Sequence, residues 1–141
     1  MSCIVNSQRK IKLDTALFER FVESLVIAVS ETKGREFNIA LISDSRMKQL
    51  NSSFRGKNST TDVLSFPFEP DEFDEGEETL GDIAISVEQA KKQAAENGLD
   101  IETEIEQLIL HGVLHLCGYD HETDDGEMNA RELELRDLLG I

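Results

Sequence analysis

Apolar positions change period along the chain, and each change marks an element. Leu17, Phe18, Phe21, Val22, Leu25, Val26 and Val29 recur at three- and four-residue steps, the spacing of one stripe on an α-helix. Asp14 stands where an N-cap belongs, so a helix is expected over 15–32, closed by Gly34. Before it, residues 4–13 alternate poorly but begin as a strand. Residues 37–43 read as a second strand. Asp44 or Ser45 then opens a short helix carrying Met47 and Leu50. Residues 51–61 are polar and rich in Ser, Asn and Gly, which predicts a loop.

Residues 62–68 form the next predicted strand, with Pro67 favouring a sheet edge or the strand's end. The acidic run 69–78, with Pro70 and Gly76, reads as a solvated loop. A strand over 80–86 leads into a helix capped by Ser86 that ends at Asn97 and Gly98. Asp100 starts another helix from Ile101 to about Cys117, and a last helix covers roughly 125–139. With no repeat, linker or low-complexity segment, this order predicts one layered α/β or α+β domain over 1–141.

Composition narrows the class. The chain has 141 residues, 39% of them apolar and 30% charged, enough to bury a single core and typical of a globular domain. No run nears the roughly 18 apolar residues of a membrane-spanning helix. The first ten residues lack the basic-then-apolar layout of a signal peptide, and Cys3 and Cys117 make no disulfide framework. The expected location is the cytoplasm, with no membrane partner.

Charge changes the picture more. There are 14 Lys and Arg against 29 Asp and Glu, a net charge of −15, which on average repels nucleic acid. The charge is uneven. Residues 1–57 hold 10 basic and 6 acidic side chains, and residues 58–141 hold 4 and 23. The first part of the chain can therefore still build a local anion-binding face.

All three histidines lie within eleven residues, in His111-Gly-Val-Leu-His115-Leu-Cys-Gly-Tyr-Asp-His121. His111 and His115 are i and i+4 on the predicted helix, so their rings share a face. Gly118 can end the helix in a left-handed conformation and bring His121 back to the same point. Three imidazoles suit a borderline metal ion, zinc first, and leave a fourth position for water, as catalytic zinc sites do. Cys117 as a fourth ligand is disfavoured, because it follows His115 by two residues and faces elsewhere; a small buried apolar role suits it. The string resembles the zinc-peptidase pattern H-E-x-x-H-x-x-G-x-x-H, but Gly112 stands where those enzymes place their glutamate base. Asp120 and Glu122 flank His121 with either a supporting or a solvated role.

Arg55 and Lys57 fall in the predicted loop before the 62–68 strand. Arginine offers a planar fork suited to phosphate oxygens, although two loop charges alone are ordinary solvated side chains. Asp62 can cap or brace that loop.

The pieces Phe54-Arg-Gly-Lys57, Thr61-Asp-Val-Leu-Ser-Phe66, Gly81-Asp-Ile-Ala-Ile-Ser86 and the histidine string occur in the order seen in the YbeY family, bacterial rRNA maturation factors described as single-strand-specific, metal-dependent endoribonucleases. The resemblance runs from about residue 37 onward. It implies an α+β fold with a mixed β-sheet packed with helices, one zinc ion on His111, His115 and His121, and Arg55 as the functional arginine of the cleft. It also implies a role in 16S rRNA 3′-end maturation and ribosome quality control, with rRNA and the ribosome or ribosomal proteins as partners. On this reading Arg55 and His115 are catalytic, and Arg55 and Lys57 bind substrate. The acidity of residues 58–141 fits presentation of the RNA by the ribosome. Two rival expectations stand beside it: a ribosome-assembly factor whose metal is purely structural, and a zinc peptidase or amidase, against which Gly112 counts.

Overall fold

A computed structural model describes residues 3–69, 79–120 and 122–141. Local signals start most of its helices. Asp14 accepts from the Ala16 N–H, Ser86 from that of Gln89 and Asp100 from that of Thr103, each satisfying a backbone donor that the first turn leaves open. The elements are β1 (Cys3–Asn6), α1 (Thr15–Ala28), a single 3-10 turn (Ser30–Thr32), β2 (Glu36–Ile42), α2 (Asp44–Arg55), β3 (Val63–Pro67), β4 (Thr79–Ser86), α3 (Val87–Asn97), α4 (Ile101–Leu116) and α5 (Glu127–Leu139).

The strands form one mixed sheet in the order β1-β2-β4-β3. β1, β2 and β4 run parallel, while β3 lies antiparallel to β4 on the edge. Pro67 ends that edge strand, where its missing N–H breaks no ladder. The pleat sorts the side chains. Phe37, Ile39 and Leu41 of β2 and Ile83 and Ile85 of β4 join the main core with α1, α4 and α5. Ile42, Leu64 and Ala84 face the other way and meet Met47 of α2 in a smaller cluster. The sheet is thus covered by helices on both faces, an α+β layering with the mixed sheet expected from the sequence. Among the described residues no helix is long and apolar enough to cross a membrane.

Four expectations need correction or lie out of view. The 15–32 helix stops at Ala28; Val29 is fully buried with ψ 84°, the chain tightens into the 3-10 turn, and Arg35 donates to the Thr32 and Glu31 carbonyls. The 4–13 segment is strand only to Asn6, because the Gln8 side chain bonds both the N–H and the carbonyl of Ile11 and curls the chain. The short helix after Ser43 runs on to Arg55, so the predicted loop begins at Gly56. Met47 and Asn51, one turn apart, are both buried, and the Asn51 amide donates to the Ser59 carbonyl at 2.8 Å. A polar residue thus continues the buried stripe that composition alone makes look like loop. The 69–78 run lies, past Glu69, outside the described residues.

Candidate active site

The site is built where the second half of α4 meets the antiparallel edge of the sheet. Gly112, Val113, Leu114 and Leu116 are buried, which leaves His111 and His115 half-exposed on the free edge of the helix. Their rings meet edge-to-face with centroids 4.8 Å apart, and their Nε2 atoms lie 3.2 Å apart. Nitrogens on a tetrahedral zinc, each at about 2.0–2.1 Å, are separated by about 3.3 Å. The spacing of the pair therefore suits two nitrogen ligands of one tetrahedral ion. Among the described residues no third His, Cys, Asp or Glu converges with them, and His121, the expected third ligand, lies outside those residues.

Behind the pair stands a residue that the sequence reading missed. His111 Nδ1 lies 3.0 Å from Oε1 of Glu132 on α5. A carboxylate only accepts, so Nδ1 donates in this bond, and Nε2 is the ring nitrogen left facing His115 and the cleft. Burial alone raises the Glu132 carboxyl. The hydrogen bond from His111, with the charges of His111, Arg136 and His115, outweighs that and holds it below the usual carboxylate range. Its signal in the sequence is phase. Met128, Glu132 and Leu135 fall on one buried row of α5, while Leu133 and Leu138 are exposed.

Gly112 has a packing reason. A Cβ there would come within 3.0 Å of the Ile83 side chain of β4, so α4 rests directly on the sheet. The position that holds the base in zinc peptidases faces the core here, and a glutamate has no room.

Beyond α4, Gly118 takes φ +102° and its N–H bonds the His115 carbonyl, the left-handed turn that the sequence predicts. The Tyr119 hydroxyl then donates to Glu31, and Arg131 grips the same carboxylate through Nε and Nη2, each at 2.8 Å. The hydrogen bond from Arg131 is the largest of several effects that hold the Glu31 carboxyl down to about 2, against the push of burial. This clamp ties the turn after α4 to the 3-10 turn and to α5. Asp120 shapes the same turn by accepting from the Glu122 N–H at 3.0 Å. Cys117 packs against the main core, and its thiol is pushed up to about 11 by burial first and then by Glu31.

The opposite wall comes from β3 and the end of α2. Together they enclose a cleft of about 660 Å³ lined by Phe54, Arg55, Asp62, Ser65, Phe66, both histidines, Tyr119, Asp120 and Glu122. Arg55 is the last residue of α2, held there by the Gly56 cap and the Asn51 anchor. It has no carboxylate partner among the described residues. Lys57 is exposed just past the helix and does not line the cleft. Asp62 does brace its loop, accepting from the Val63 N–H and the Thr61 hydroxyl.

Residues 3–140 match the family model described as Endoribonuclease YbeY. The chain is 50% identical over 107 residues to the Endoribonuclease YbeY of Nautilia profundicola, covering 76% of this chain and 74% of that protein. It is 45% identical over 123 residues to the one from Solibacter usitatus, covering 87% and 78%. Its fold superposes on the solution structure of TM1509 from Thermotoga maritima with a TM-score of 0.67 at 29% identity, over 98% of this chain and 89% of that one. On the matched family model and these relatives, the chain belongs to the YbeY family.

Proposed function

We propose that the chain is a metal-dependent endoribonuclease that cuts single-stranded RNA, with the 3′ end of 16S rRNA as its substrate in ribosome maturation and quality control. One observation carries the reading: Arg55 and a convergent histidine pair share one cleft, which suits a phosphate between a cation and a metal. Family membership supports it, since the relatives bear the name of the endoribonuclease.

His111 and His115, joined by His121, are the residues that would hold one zinc ion. The ion bound there would supply Lewis-acid chemistry, lowering the pKa of water and polarising a phosphoryl oxygen. Glu132 holds the His111 ring so that Nε2 faces the cleft. Arg55 binds the scissile phosphate and stabilises charge that grows on it in the transition state. Lys57 adds positive charge at the approach. The nucleophile is either water or the adjacent 2′-hydroxyl, and the products tell them apart: only the second leaves a 2′,3′-cyclic phosphate. The ribosome supplies the substrate in presented form, which offsets the repulsion between RNA and a chain of net charge −15. The cytoplasm is the matching compartment.

A second reading, an assembly factor with a purely structural metal, is favoured by the coupling of His111 to α5 through Glu132. The test separates the two. Wild type, His115→Ala and Arg55→Glu are purified identically and incubated with single-stranded RNA carrying the precursor 16S 3′ end. Cleavage by wild type alone, with metal content kept in Arg55→Glu, is the expected result. Equal cleavage by all three overturns the nuclease reading, as does no cleavage by any of them on both the free RNA and ribosomal particles. Normal assembly function in Arg55→Glu would then favour the structural metal.

A further inference from the structure

We propose that Phe54 is a base-stacking residue, whose ring takes the nucleobase beside the phosphate that Arg55 holds. This rests on the nuclease reading and adds the feature of the RNA that the cleft recognises.

Phe54 is 67% exposed although it is a large apolar ring, and it precedes Arg55 at the end of α2 on the wall of the same cleft. Phe66 of β3 holds it edge-to-face, with centroids 5.3 Å apart and ring planes at 68°. That contact orients the ring and still leaves most of it accessible. Base and phosphate of one nucleotide are bridged by a single sugar, so adjacent side chains can engage both. Phe54 adds little to the core, so its exposure needs another reason.

Electrostatics supplies that reason. Among the described residues, Arg55 is the only Lys or Arg lining the cleft, while Asp62, Asp120 and Glu122 are acidic. Proteins that grip RNA by its backbone need several such cations. Stacking does not depend on charge, accepts any base, and contributes on the order of tenfold or more in affinity for each base. It also demands an unpaired base free to leave its neighbours, which a duplex withholds. A preference for single strands then follows from Phe54 and Phe66 rather than from a positive groove.

The test measures binding without cleavage. A labelled single-stranded 2′-O-methyl phosphorothioate oligonucleotide is titrated with wild type, Phe54→Ala and Phe54→Trp. The proposal expects roughly tenfold weaker binding for Phe54→Ala, wild-type binding for Phe54→Trp, and one melting temperature for all three. An abasic nucleotide walked along the strand should weaken the wild type at one position and leave Phe54→Ala unchanged there. Wild-type affinity in Phe54→Ala, an equal abasic loss in both proteins, or no binding by wild type overturns the proposal. So does a Phe54→Ala defect confined to ribosomal particles, which would assign the ring to a protein partner. Strand binding through Phe54 without cleavage would sink the nuclease reading alone. Cleavage that ignores Phe54→Ala would sink the stacking role alone.

Discussion

Glu132 of α5, itself almost wholly buried, accepts a hydrogen bond from His111 Nδ1 across 21 residues of sequence, at 3.0 Å. One hydrogen bond thereby orients a cleft-facing imidazole and joins two helices. Glu132→Gln keeps the shape and an acceptor but removes the charge. Outer partners of this kind are worth roughly 10- to 100-fold in metal affinity. If the histidines hold zinc as proposed, competition with a chelator should show a loss in that range, and undiminished affinity would show that Glu132 does not support the ion.

Gly112 is a packing requirement as well as a departure from the peptidase pattern. Gly112→Ala forces its Cβ against Ile83 at 3.0 Å, and overpacking of this type costs about 1–3 kcal/mol. A denaturant titration should find that loss. Gly112→Glu should lose more and gain no peptidase activity. A stable variant that cleaves peptides would show that α4 does not rest on β4 as described.

On the substrate role proposed for Arg55, Asn51 links stability to RNA binding. Asn51→Ala leaves the Ser59 carbonyl without its amide donor, at a cost of about 1–3 kcal/mol, and releases the helix end that carries Arg55. The expected kinetic mark is a raised KM for RNA in the folded variant. An unchanged KM beside lower stability would mean that Arg55 keeps its place without this anchor.

The Glu31 clamp sets an acid limit. Its carboxyl sits at about 2 in the folded chain against an ordinary 4.5, so the folded state favours the ionised form. The resulting stability is fully present above about pH 4.5 and is lost as pH falls toward 2. Glu31→Gln should be less stable than wild type at neutral pH, with the two curves converging near pH 2. Parallel curves over that range would show that Glu31 does not depend on its charge.

Legibility followed the range of the interactions involved. The caps at Asp14, Ser86 and Asp100 and the one-turn spacing of His111 and His115 act within a few residues, and each appears as the pattern predicts. The end of α2 was hidden, because Asn51 is polar yet buried for a bond to Ser59. A rule that equates polar with loop cannot see that. Phe54 reads as part of a motif, and only its contact with Phe66 of the next strand makes it a wall of the cleft.

The chain alone specified the mixed order of elements, the strand that ends at Pro67 and the two imidazoles on one helical face, since period, caps and dihedral limits are properties of neighbouring residues. Tertiary packing decided that α4 lies on Ile83, that Glu132 stands behind His111, and that Arg55 faces the histidines across one cleft. Those relationships join residues far apart in sequence. They exist only once apolar burial has brought the helices onto the sheet and made each buried polar group find a partner.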